Sequence, residues 1–120
     1  MKVLIAEDEP MMLAALHHNL QLEGYEVLSS TDGRDALEKF EAHSPDLIIT
    51  DILMPYTSGL ELIGVVKNSS GKATPIIVLS AMGQEATVIE AFQLGADDFI
   101  IKPFDPTELS MRIKRLLKKK

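Results

Sequence analysis

The chain has 120 residues, 46% hydrophobic and 25% charged, which fits one globular domain with a buried core and leaves no room for a second. It has no cysteine, so disulfides, thiolate metal sites and thiol chemistry are excluded. The formal charge of −6 divides into −12 over residues 1–111 and +6 over residues 112–120, so the body should repel nucleic acid.

Lys2–Ala6 (KVLIA) is a β-branched run and reads as the first strand. Its apolar part is too short for a signal peptide and meets Glu7, Asp8 and Glu9 at once. No later stretch is apolar for long enough to span a membrane, and a cytoplasmic protein is expected. Leu13, Leu16 and Leu20 then follow helical spacing, and Gly24 suits the end of that helix. Val27–Ser29 is a weaker strand. Gly33 opens a second helix with a stripe of Ala36, Leu37 and Phe40. Pro45 precedes the continuous apolar run Leu47–Thr50. Ser58 is a candidate cap for a third helix carrying Leu60, Ile63 and Val66. Pro75 precedes Ile76–Leu79, and Val88, Ala91 and Phe92 line a fourth helix that ends at Gly95. Phe99–Ile101 is the last strand. Asp105-Pro106 reads as an N-cap followed by proline at the first helical position, and Leu109, Ile113 and Leu116 line the fifth helix. Strands apolar on both faces, alternating with amphipathic helices, imply an α/β domain: a parallel five-stranded sheet between two helical layers.

The basic end of residues 112–120 suits a helix C-terminus and its dipole better than a nucleic-acid site. It also reads as a candidate start of a connection to an effector domain beyond Lys120.

In an open parallel sheet, chemistry collects beyond the carboxyl ends of the strands. Strand 1 ends in Glu7-Asp8-Glu9, strand 3 in Asp51, strand 4 in Ser80-Ala81 and strand 5 in Ile101-Lys102-Pro103. If strands 1 and 3 are neighbours, Glu7, Asp8 and Asp51 converge and need a counter-charge. A hard divalent cation with oxygen ligands supplies one, and Mg2+ fits a small ligand set that leaves room for water and a phosphoryl oxygen. Lys102 supplies a second, movable positive charge.

The ordered set IAEDEP, DILMPYTSG, IIVLSA and GADDFIIKPF, followed by Asp105, resembles the receiver domain of bacterial two-component response regulators over essentially all of residues 2–117. The resemblance implies a doubly wound, flavodoxin-like (βα)5 three-layer sandwich with strand order 2-1-3-4-5. It implies that Asp51 is the phosphoacceptor, and that Glu7 and Asp8 hold Mg2+, with Mn2+ a substitute, together with Asp51 and the backbone carbonyl of Leu53. Glu7 departs mildly from the family, which often has Asp there. Ser80 matches the hydroxyl that bonds a phosphoryl oxygen, Ala81 the small residue beside it, and Lys102 the lysine that pairs first with the acceptor and then with the phosphoryl group. Pro103 looks like the family's cis proline, and Phe99 matches the switch aromatic. On phosphorylation, Ser80 and Phe99 would shift and reshape the surface formed by helix 4, strand 5 and helix 5.

The implied donor is a phosphohistidine of a partner histidine kinase or histidine phosphotransfer protein. His17, His18 and His43 have no metal-triad spacing and read as ordinary surface or boundary residues. Met11 and Met12 lie where the family docks that partner, and core packing is the equal alternative for one of them. Leu53 and Met82 flank the expected path of water and cannot activate it, so autodephosphorylation should be slow. Tyr56-Thr57-Ser58-Gly59 lacks the acid many members have before the glycine. Asp97-Asp98 and Arg112 resemble half of a salt-bridged homodimer face, but Thr87, Val88 and Ile89 replace its basic partner on helix 4.

Three other readings compete. An atypical receiver would act as a phosphorylation-independent scaffold, although all the ligands are present. A flavodoxin-like cofactor binder needs a phosphate loop after strand 1, where this chain has three acids. A hydrolase using Asp51 on external substrates needs a second acid to protonate a leaving group, and none is placed for it. The expected protein is therefore a signalling switch without direct nucleic-acid or membrane binding.

Overall fold

The computed structural model describes residues 1–54, 56–69 and 73–118. Pro55 of the DILMPYTSG motif, and Lys119 and Lys120 of the basic end, lie outside these. Five strands alternate with five helices: β1 (Lys2–Ala6), α1 (Pro10–Leu22), β2 (Glu26–Ser30), α2 (Gly33–His43), β3 (Leu47–Asp51), α3 (Gly59–Asn68), β4 (Ile76–Ser80), α4 (Glu85–Leu94), β5 (Asp98–Ile101) and α5 (Pro106–Lys118). The strands form one parallel sheet of order β2-β1-β3-β4-β5, as expected. Among the described residues no helix is long and apolar enough to cross a membrane.

Alternation along each strand feeds two cores. Leu4, Ala6, Ile48, Ile76 and Val78 face α2, α3 and α4, where they meet Ala36, Leu62, Ile63, Val66, Val88 and Ala91. Val3, Ile5, Leu47, Ile49, Ile77, Leu79 and Ile100 face α1 and α5, where they meet Leu16, Leu20, Leu109, Ile113 and Leu116. Strands β3 and β4 are buried along their whole length, which is why they read as unbroken apolar runs.

Local chemistry sets the helix ends. Glu9 caps α1 by accepting from the Met11 and Met12 amides at 3.2 and 2.7 Å, with Pro10 opening the helix. Ser58 and Glu61 form a capping box on α3. Asp105 accepts from the Thr107 amide at 2.9 Å at the head of α5. Gly24 and Gly95 follow α1 and α4 with φ of 94° and 116°, a region glycine enters without strain.

The α3 stripe is wider than expected: Ile63 and Val66 are buried, Leu60 packs half-buried against the same core, and the fully buried Leu62 joins them. The helix is apolar almost all round, so periodicity alone does not identify its inner face. On α4, Phe92 is 41% exposed rather than in the core. It overhangs the β5 edge and stacks edge-on against Phe99, with ring centroids 5.9 Å apart.

The Asp97-Asp98 pair is engaged within the chain. The Asp98 carboxylate, nearly buried, accepts from Arg112 at 2.6 Å and Arg115 at 2.8 Å, which ties β5 to α5. The Asp97 carboxylate accepts from Lys67 and from the Ile76 amide, each at 2.8 Å.

Candidate functional site

The strand register assembles the site. Ala6 lies opposite Thr50 and Asp51 opposite Leu79, so Glu7 and Asp51 leave neighbouring strands side by side, at the point where the strand order reverses. Ser80 lies opposite Ile101, which brings Lys102 to the same rim. The Lys102 amide donates to the Ser80 carbonyl at 2.7 Å, and the Lys102–Pro103 bond is cis.

One carboxylate oxygen each from Glu7, Asp8 and Asp51 lies within 4.8 Å of the others. Glu7 is fully buried, Asp51 nearly so, and Asp8 exposed. Glu9, the third acid of the run, turns away to cap α1. The Lys102 ammonium donates to Asp51 Oδ2 at 3.0 Å and to Glu7 Oε1 at 3.2 Å. Glu7 Oε2 accepts from the Glu9 amide at 3.0 Å.

The electrostatics follow from this crowding. Burial pushes the Glu7 carboxyl above its usual range. The Glu9 amide opposes that, the Asp51 charge adds to it, and the Lys102 ammonium opposes it. For Lys102, burial acts downward, but the bond to Asp51 and the charges of Asp51 and Glu7 outweigh it and hold the ammonium above its ordinary value. Three carboxylates around one lysine leave excess negative charge, and an all-oxygen donor set of this size suits a hard divalent cation.

A raised carboxyl pKa has a definite sign. The folded protein holds the Glu7 proton more tightly than the unfolded chain. The stability this gives is fully present below the ordinary value of 4.5 and is lost as pH rises through the folded value. Without added divalent cation, Glu7→Gln is therefore expected to be more stable than wild type at neutral pH. The advantage should shrink as pH falls toward 4.5. Urea unfolding across that range checks this; a gain that grows toward acid would contradict it.

The remaining residues surround this rim. Ser80 is buried, and Ala81 beside it is exposed. Leu53 is 58% and Met82 84% exposed, both apolar. Phe99 is half-buried and lines an apolar groove of about 300 Å³ with Ser80, Met82, Val88, Phe92 and Ile101. Sequence reasoning missed Gln84, whose side-chain oxygen accepts from the Ala81 amide at 2.6 Å. The available signal was a glutamine three residues after Ala81, at the head of α4. His17 bonds Ser29 at 2.6 Å between α1 and β2. Met11 is exposed, whereas Met12 packs on the core.

The model of the response regulator receiver domain family matches residues 3–114. The chain is 36% identical over 118 residues to the alkaline phosphatase synthesis transcriptional regulatory protein PhoP of Bacillus subtilis, covering 98% of this chain and 49% of that protein. It is 40% identical over 118 residues to the probable transcriptional regulator ycf27 of Galdieria sulphuraria, covering 98% and 46%. It thus spans about half the length of these relatives. A crystal structure of a putative response regulator from Chloroflexus aurantiacus superposes with a TM-score of 0.92 at 35% identity, covering 98% of this chain and 97% of that one. Sequence, fold and acidic rim agree, and the chain belongs to the response regulator receiver domain family: it is a signalling module of the phosphoacceptor-switch type rather than a catalytic enzyme.

Proposed function

We propose that Asp51 is the phosphoacceptor and that its donor is the phosphohistidine of a histidine kinase or histidine phosphotransfer protein. The single observation that carries this is the Lys102 ammonium bridging Asp51 and Glu7 within the carboxylate cluster. A nearly buried aspartate needs one counter-charge, which Lys102 supplies, but two more carboxylates crowded beside it cost stability and are explained by a function.

The Asp51 carboxylate attacks phosphorus in line, forming an O–P bond as the P–N bond to the imidazole breaks; solvent reprotonates the imidazole. Glu7, Asp8, Asp51 and the Leu53 carbonyl would hold Mg2+, which supplies charge neutralisation on the phosphoryl oxygens. Lys102 leaves its bridge to pair with the new phosphoryl group. The Ser80 hydroxyl donates to another phosphoryl oxygen, and Phe99 rotates toward the space Ser80 vacates. The α4–β5–α5 face then presents a different surface, for a second copy of the chain or for an effector domain, as befits relatives named transcriptional regulators. We place the protein in the cytoplasm, where such donors act.

Treatment of the full chain with a small acyl phosphate and Mg2+ is expected to add one phosphoryl group. Borohydride reduction and peptide mapping should place it at Asp51. Leu53 and Met82 offer approaching water no base, so the adduct should decay over minutes or longer. Label at another residue, or none with any donor, would leave the scaffold reading in its place; decay within seconds would overturn the assignment of Leu53 and Met82.

A further inference from the structure

The described part of the connection from β3 to α3, residues 52–54 and 56–58, carries the Leu53 carbonyl. It is braced from outside by the first turn of α2. Gly33 is buried there, and a Cβ on it would lie 1.8 Å from the Thr57 carbonyl oxygen and 2.7 Å from Thr57 Cβ. Only a glycine lets the loop backbone approach so closely. The next residue, Arg34, sets its guanidinium 4.6 Å from the centre of the Tyr56 ring. Tyr56 has φ of 67°, a left-handed conformation that a tyrosine rarely adopts, and its side chain is largely exposed. An exposed aromatic in a strained conformation needs something outside its own loop to hold it. Arg34 does so, and the Asp32 side chain secures that turn by accepting from the Asp35 amide at 2.8 Å.

We propose that Gly33 and Arg34 are positioning residues for the cation site: together they clasp Thr57 and Tyr56 and so fix the loop that presents the Leu53 carbonyl. The inference rests on the reading of that carbonyl as a ligand. A loop released from the clasp visits the competent geometry less often, and apparent affinity falls by that fraction.

The test is titration of the full chain with Mg2+ alone, followed through the backbone amide signals of Asp51 and Leu53, alongside thermal unfolding without Mg2+. Arg34→Ala is expected to weaken Mg2+ about two- to fivefold, the population ratio an exposed cation–π contact commands. Arg34→Lys should recover most of the loss, because a cation again faces the ring. Gly33→Ala, which forces the Thr57 backbone away, is expected to weaken Mg2+ about tenfold or more, the conformational penalty entering the affinity directly. If Gly33→Ala fails to fold, the Arg34 pair decides. A wild-type Mg2+ response that Arg34→Ala leaves unchanged, or an Arg34→Ala effect confined to the unfolding temperature, overturns this inference alone. No wild-type response at Leu53 overturns the ligand reading, and the inference with it.

Discussion

Lys102→Ala is expected to slow phosphoryl uptake at Asp51 by about 100-fold or more, the usual cost of removing one preorganised charge from a site where negative charge moves. The ammonium is the sole basic group the structure places in contact with Asp51 among the described residues, at 3.0 Å from Oδ2. Its second bond, to the fully buried Glu7 at 3.2 Å, fixes where it stands before any donor arrives. It is also only 21% exposed, so water screens it weakly. Arginine should not restore the rate, because a planar guanidinium is wider and cannot stand between two carboxylates as a compact ammonium does. Initial rates with a small acyl phosphate at saturating Mg2+ give the measurement. A loss below tenfold would mean that Lys102 only holds the resting site together. The same lysine contributes stability that is fully present below its ordinary value of 10.5 and is lost as pH rises through its elevated folded value.

Gly59→Ala is expected to cost about 3 kcal/mol of stability, at the upper end of overpacking penalties, and to impair phosphoryl uptake in whatever remains folded. A Cβ at residue 59 would lie 2.1 Å from the Asp51 carbonyl oxygen and 2.8 Å from both Ile52 Cα and the Ile52 carbonyl oxygen. All of these are backbone, so no rotamer change can relieve the clash. The Gly59 amide also donates to the Ile52 carbonyl at 2.7 Å, which locks the head of α3 to the end of β3. Any movement that admits a methyl group therefore displaces Asp51 or breaks that bond. Urea unfolding measures the first effect and initial phosphorylation rates the second. A variant within about 0.5 kcal/mol of wild type, the range of innocuous surface changes, would show that α3 and β3 separate freely.

The architecture was legible because its signals are local. The runs Leu47–Thr50 and Ile76–Leu79 are buried on both faces, and that state leaves an unbroken apolar run in a sequence. Ser58, Asp105 and Pro106 carry their capping chemistry within three residues. The acids at the strand ends were legible as a set, because a parallel sheet sends every strand terminus of one kind to the same rim. What escaped was set at longer range. Phe92 has core spacing on α4, but the sheet ends beneath it, and a sequence does not announce where a sheet runs out of strands. The capping role of Glu9 depends on the direction in which α1 leaves the rim. The union of Asp98 with both Arg112 and Arg115 depends on the angle at which α5 crosses β5. The approach of Gly33 to Thr57 joins residues 24 apart that share no pattern.

The register of β1 against β3 carries one more consequence. Glu7 and Asp51 meet only because Ala6 pairs with Thr50; a slip of one residue would turn Asp51 to the opposite face and offer Thr50 or Ile52 in its place. A sheet misaligned in this way could keep much of its apolar contact, since valine, leucine and isoleucine substitute for one another readily, but it would lose the carboxylate cluster altogether. A divalent cation stabilises only the alignment that binds it, by an amount that grows with its concentration. The carboxylates thus act as a checksum on strand pairing: a divalent cation held by them would also select, among near-native chains, those that have folded in the right frame.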